Sequence, residues 1–244
     1  MPAGYIVAAT GALRNSRDVL TPTQIARHAM AATSDTVIRL ITVSELAKGT
    51  ARARTNGLMT WRFSAKNVRD AVWAASPEFQ WDASSWKGIM AYAYSRPSAA
   101  VNWHDAADQS RLSIIEYSER WFQCPWLHIS AVEGPISGME YPMIAMENIS
   151  NEIYDLYNVV THAIGYMWFP MIVGSNVKPS VGLQLLRQEI LGPQAFEDAF
   201  RTYIARWAYK HPSPADFPYD GRRGWPSRLL LATVVRGERS LRSQ

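Results

Sequence analysis

The sequence predicts an α+β fold, and three observations carry that prediction. Short β-prone runs crowd the first third of the chain. Near Ser95 the hydrophobic period lengthens to helical spacing, and the strand-rich part precedes the helix-rich part instead of alternating with it.

Taken in order, "GYIVAAT" at 4–10 and "TVIRLITV" at 36–43 read as strands, because β-branched residues cluster in both. Between them "TPTQIARHAMAA" opens with a Thr-Pro start signal and predicts a short helix, on which His28 reads as a solvated or capping residue. "KGTARARTNG" is a loop. "LMTWRFSA" at 58–65 alternates, placing Met59, Trp61 and Phe63 on one face, and "DAVWAASPEFQWDA" follows as a nearly continuous apolar strand that ends at Pro77. These runs suit one sheet of a β-sandwich, with too few strands to close a complete one.

From 101 to 122, "VNWHDAADQSRLSIIEYSERWF" carries Trp103, Ala107, Leu112, Ile115 and Trp121 at helical spacing, with His104 near its start in a capping or solvent role. "PWLHISAVEG" is a strand, and "GPISGMEYPMIAM" a turn followed by a strand. "NEIYDLYNVVTHAIGYMWFPMIV" is a long helical stretch stopped at Pro170. "KPSVGLQLLRQEIL" has Pro179 near its start and Gly192 just past its end, and "PQAFEDAFRTYIARWAYKH" places Phe196, Phe200, Ile204 and Trp207 on one stripe.

The 244 residues suffice for a sizeable core, and 48% hydrophobic with 19% charged residues is a globular composition. The net charge of +4 is concentrated at the end: from Asp216 to Gln244 six arginines face three acidic residues. Without a basic, aromatic-interleaved face elsewhere, nucleic acid is not an expected partner. The lone Cys124 excludes an internal disulfide and reads as a structural thiol. No run is long and apolar enough for a membrane span, and the N-terminus lacks the basic start of a signal peptide, which leaves localisation open.

Four stretches, "RFSAKNVRDAVWAASPEF", "AVEGPISGMEYPMIAMEN", "LYNVVTHAIGYMWFPMIVGSN" and "KPSVGLQLLRQEILGP", occur in an order that resembles the gluzincin zinc aminopeptidases. This is the membrane alanyl aminopeptidase family that includes aminopeptidase N, and the likeness is to its bacterial branch with a G-M-E-Y-P motif. The resemblance implies the last part of an N-terminal β-sandwich-like domain at 1–95, and then an incomplete thermolysin-like, mostly helical catalytic-type domain at 96–215. A basic, diverged or out-of-frame tail would occupy 216–244. It further implies that Gly138, Met139 and Glu140 line the substrate cleft, with Glu140 holding the free amino group of a peptide between walls such as Tyr141, Trp168 and Phe169.

His162 matches the first zinc ligand of the family's H-E-x-x-H helix. There the resemblance and the chemistry separate. Ala163 stands at the general-base position and cannot accept a proton, and Tyr166 stands at the second ligand position. The third ligand falls on Leu185, and Asn176 and Val177 stand where the transition-state tyrosine would lie, as though a deletion joins "MIVGSN" to "KPSVGL". His128, Glu152 and Asp155 do not rebuild a ligand set by spacing. Zinc belongs to the family but is not expected to be retained, because catalysis needs three protein ligands and an open position. The expectation is therefore an aminopeptidase homologue by descent, inactive or severely impaired. The alternatives are a non-catalytic module binding peptides with a free N-terminus, or a truncated gene product without selected function.

Overall fold

The computed structural model describes residues 1–53, 56–148, 156–174 and 186–212. It divides into two compact units, the first made of Met1–Ser118 and Cys124–Met171, the second of Glu119–Gln123 and Ile172–Gln244.

The first unit is built on a mixed six-stranded sheet. Its strands are β3 (Ile38–Ile41), β6 (Gln80–Trp86), β7 (Ile89–Ser95), β8 (His128–Glu133), β9 (Met139–Tyr141) and β10 (Ile144–Glu147), in the order β3-β6-β7-β8-β10-β9. β7, β8 and β10 run parallel to one another, while β3, β6 and β9 pair antiparallel with their neighbours. Two ribbons accompany the sheet: β1 (Ile6–Ala9) with β5 (Trp73–Ser76), and β2 (Ala12–Leu13) with β4 (Phe63–Ser64). Helices α1 (Ser16–Val19), α2 (Pro22–Ala31) and α3 (Val43–Ala47) lie among these strands. Then come α4 (Ala100–Trp103), α5 (Ala106–Arg120) and α6 (Leu156–Gly165).

The α+β prediction holds, with corrections to its elements. The expected strand at 58–65 reduces to the two-residue β4 and an isolated bridge from Leu58 to Pro2. The apolar strand ends before Pro77 as expected, as β5, and the rest of the 70–83 run holds a second strand, β6, on a different sheet, because Pro77 lacks the N–H that a continuous ladder needs. "GPISGMEYPMIAM" likewise holds two strands, separated at Pro142 and Met143. Strands before and after residue 95 share the six-stranded sheet of the first unit. A parallel β7–β8 pair needs a crossover, and α4 and α5 supply it.

The two faces of the sheet differ in side-chain size. On one face Trp81, Ala83, Tyr92 and Tyr94 are cross-strand neighbours that pack with Ile6, Ala8, Leu20 and Leu40. Trp81 and Tyr94 stack at 5.1 Å. The register on the opposite face aligns Arg39, Asp82, Ala93, Ala131, Ala145 and Glu140 in one row across the six strands. Three alanines form its floor, so helices can approach closely.

α5 uses that space. Its buried residues are Ala106, Ala107, Ser110, Ser113, Ile114 and Ser118; of the expected stripe Trp103 and Ala107 are buried, Ile115 and Trp121 are half-buried and Leu112 is exposed. Ser84 Oγ donates to the Ala107 carbonyl at 3.1 Å, and Ser110 and Ser113 return their hydroxyls to the carbonyls four residues back. Serine thereby buries its polar atom within its own helix and presents a small surface. The expected continuous helix also breaks at His104 and Asp105, whose side chains pair at 2.9 Å. His104 Nδ1 lies 2.9 Å from the Val101 carbonyl, an exposed end-of-helix role.

Thr21 and Gln24 form the capping box that starts α2, as the Thr-Pro signal predicts. His28 on that helix departs from its solvated reading: it is half-buried, with Nε2 2.6 Å from the Tyr92 hydroxyl. Cys124 is buried, and burial pushes its thiol up to about 12, in keeping with a structural thiol.

In the second unit, a π-helical turn at Leu186–Leu191 leads into α7 (Pro193–Trp207). Trp121 meets Phe200 edge-on at 5.0 Å, and Glu197 lies 3.3 Å from Arg187. The buried residues of α7 are Phe196, Tyr203 and Ile204, so the expected stripe is half correct. Glu152, Asp155, Asn176, Val177, Leu185 and the 216–244 tail lie outside the described residues.

Candidate functional site

α6 owes its orientation to a helical period in the sequence. Val160, Ala163, Ile164 and Met167 recur every three or four residues and are fully buried. The helix packs against β8, β9 and β10. It also meets α5, where Ser113 Oγ lies 2.9 Å from Thr161 Oγ1 and the Tyr117 hydroxyl donates to the Thr161 carbonyl at 2.9 Å. Gly165 makes the approach possible, because a Cβ there would come within 3.2 Å of the Tyr117 hydroxyl oxygen. The helix ends at Gly165, earlier than the stop at Pro170.

The faces of α6 separate the residues that the resemblance groups together. His162 and Tyr166 lie one turn apart on the exposed face, their rings edge-on at 5.1 Å and 81°. Ala163, at the general-base position, is 0% exposed and belongs to the core face. Trp168, expected as a cleft wall, is also buried and packs on Tyr117 at 5.3 Å.

Facing α6 is the edge strand β9. Its register with β10 sets Glu140 opposite Ala145 and Met139 opposite Met146. Glu140 is half-buried. Burial raises its carboxyl above the usual range, the neighbouring Glu147 carboxylate adds to the rise, and His162 draws it back. The edge strand and the helix therefore bring Glu140 and His162 within electrostatic reach of each other. Gly138 is exposed and donates its N–H to Glu147 Oε2 at 3.1 Å; Met139 is half-buried.

Sequence reasoning missed two features around this edge. Glu147 is 4% exposed and holds the preceding loop by accepting from Ser137 Oγ at 2.5 Å as well as from Gly138. Beside it, buried Glu133 forms a forked ion pair with Arg96, which also donates its backbone N–H. The motif "GMEYP" identified the strand, but only the parallel register of β8 and β10 sets Glu133 beside Glu147.

Among the described residues the donor set does not suit a catalytic zinc ion. Such an ion needs three protein ligands. Among the described residues no three of His, Cys, Asp and Glu come together in a way that could hold a metal. His128, weighed as a replacement ligand, is buried on the aromatic face of the sheet, and the row containing Glu140 lies on the other. What the site offers is a half-buried carboxylate, a second carboxylate near it, and one imidazole.

No protein-family model matches the chain, and no curated protein matches it in sequence. Solved structures are similar. One is a mutant of a two-domain M1 zinc metallopeptidase bound to L-arginine, with a TM-score of 0.55 and 10% identity over 91% of this chain. Another is a mutant of a two-domain M1 zinc metallopeptidase bound to L-tryptophan, with a TM-score of 0.54 and 11% identity over 93% of this chain. The alignments cover 58% and 59% of those chains, so this chain spans less than two thirds of their length. None of the described helices is long and apolar enough to cross a membrane. At this identity the likeness establishes a fold shared with M1 zinc metallopeptidases.

Proposed function

We propose that this chain is an aminopeptidase homologue of the M1 zinc metallopeptidase type that no longer hydrolyses peptides. The observation carrying this reading is the split at α6 and the turn after it: His162 and Tyr166 are exposed while Ala163 is fully buried. Position 163 therefore supplies neither a base nor room for one, and base catalysis contributes roughly 10²–10⁴-fold. A neutral tyrosine at 166 is a poor zinc ligand, and one imidazole alone does not hold the ion at useful affinity.

The test is zinc stoichiometry of the purified chain alongside hydrolysis of aminoacyl arylamides. The expected outcome is no stoichiometric zinc and no turnover above the uncatalysed rate. One tightly bound zinc per chain with chelator-sensitive turnover refutes the reading.

A second reading is supported by Glu140 itself. Its carboxyl is raised by burial and by Glu147, so an ammonium group brought beside it would relieve both. The chain would then bind peptides through a free amino terminus without cleaving them. Saturable binding of a short peptide, lost on N-acetylation and in Glu140→Ala, is the expected result. Equal binding of the free and acetylated peptides refutes it.

A further inference from the structure

A cavity of about 230 Å³ lies on the aromatic face of the sheet, within the first unit. It is walled by β6, β7 and the segment running from β1 to α2. Aliphatic and aromatic side chains make up most of the wall, Phe63, Trp81, Met90 and Tyr94 among them. Its polar side-chain groups are the Ser16, Tyr92 and Tyr94 hydroxyls, the His28 and His128 imidazoles, and the Trp81 indole N–H. No Asp, Glu, Lys or Arg lines it among the described residues.

The wall carries no charge at pH 7. Burial pushes both tyrosine hydroxyls above their ordinary value and pulls both imidazoles below theirs. The Tyr92 hydroxyl and His28 Nε2 meet at 2.6 Å, and His128 hydrogen-bonds the Ala9 backbone. Trp81 is different. It is 3% exposed, and it stacks on Tyr94 at 5.1 Å, which holds the plane of its ring. Its buried N–H has no hydrogen-bond partner among the described residues. Trp61, Trp103 and Trp126 also bury an unpaired N–H, but none of them lines the cavity. An indole nitrogen only donates, so the group that satisfies Trp81 must be an acceptor.

We propose that this cavity binds an uncharged, ring-sized molecule carrying a carbonyl or ether oxygen, and that this oxygen accepts from the Trp81 N–H. The size follows from the volume. An apolar cavity of roughly 150 Å³ takes benzene, so the larger space here takes a ring with a short acyl or alkoxy substituent. The ring follows from the wall, whose aromatic side chains offer faces and edges to pack against. The lack of charge follows from the same wall, which holds no counter-ion to offset desolvation of an ionised ligand.

Calorimetric titration of the full chain with acetophenone, α-methylstyrene and benzoate tests this. α-Methylstyrene has the shape of acetophenone with a CH2 group in place of the carbonyl oxygen, and benzoate adds a charge. Acetophenone should bind at one site with a Kd below about 1 mM, and benzoate should not bind. Trp81→Phe keeps a ring and removes the donor. It should weaken acetophenone about tenfold relative to α-methylstyrene. Because that variant alters a buried residue, a second measurement uses the parent chain. Among the indole N–H resonances of its ten tryptophans, one should move downfield with acetophenone and not with α-methylstyrene. Acetophenone that does not saturate, benzoate that binds as tightly, an unchanged affinity ratio in Trp81→Phe, or an absent indole shift overturns the proposal.

Discussion

At Asp82 and His128 burial acts on opposite charges, and the two residues bias stability against each other. Asp82 is 2% exposed, and burial pushes its carboxyl up to about 6 although Arg39 lies 2.9 Å away. Arg39 is half exposed and screened by water, and Asp82 Oδ1 has no hydrogen-bond partner among the described residues, so the ion pair does not offset desolvation. Between about pH 4 and 6 the folded state keeps a proton that the unfolded state releases, and stability falls as pH rises through that window. His128 has the opposite sign. Its pKa drops to about 4, so between there and about pH 6.5 the unfolded chain binds a proton that the folded one refuses, and stability rises with pH. His28, also lowered by burial, adds to the rising limb. Relative to the parent chain, Asp82→Asn should steepen the rise from about pH 4 to 7, and His128→Leu should reverse it into a fall. Each effect should reach about 2 kcal/mol in urea unfolding. Parallel profiles for the three proteins would contradict the assignment.

α6 shows how an element can keep its place after its chemistry is gone. Its core stripe of Val160, Ala163 and Ile164, continued past the helix end by Met167, is buried where the helix meets β8, β9 and β10, whereas His162 and Tyr166 are exposed. The consequence is an asymmetry between the two positions at which the zinc helix would be rebuilt. Ala163→Glu inserts a longer, ionisable side chain where no space or partner exists, and should cost about 3 kcal/mol or more. Tyr166→His alters an exposed position and should change stability by less than about 0.5 kcal/mol. Thermal melts of the two single variants measure the difference directly. A stable Ala163→Glu protein would mean that position 163 turns toward the cleft, and it would reopen the question of catalysis. A similar logic governs α5, whose buried serines hold a face that a hydrophobic-stripe reading assigns to Leu112 and Ile115.

Across the whole molecule, what was legible in the sequence is what depends on near neighbours. The Thr-Pro start of α2 and the strands at 6–9 and 38–41 follow from local residues. The parallel pairing of β7 with β8, the row from Arg39 to Glu140, and the cavity around His128 depend on register between distant segments, and no local pattern encodes that. Thr10 is the plainest case. It reads as the end of a strand, yet its buried Oγ1 donates to the Pro142 carbonyl at 3.0 Å and accepts from the Val72 N–H at 3.1 Å. The bond to Pro142 spans 132 positions in the chain. Thr10 thus ties the β1 end to the β9–β10 turn, beside Gly11, where φ is +103° and a Cβ would meet the Ser64 backbone at 2.7 Å. Thr10→Val keeps the shape and removes the hydroxyl, leaving a buried carbonyl and a half-buried N–H unsatisfied, which should cost about 2–3 kcal/mol. Thr10→Ser retains both hydrogen bonds and should cost about 1 kcal/mol. Urea unfolding ranks the two, and amide exchange at Val72 should quicken in the valine variant alone. If valine proves as stable as serine, the hydroxyl is not what joins the N-terminal ribbon to the edge strand that carries Glu140.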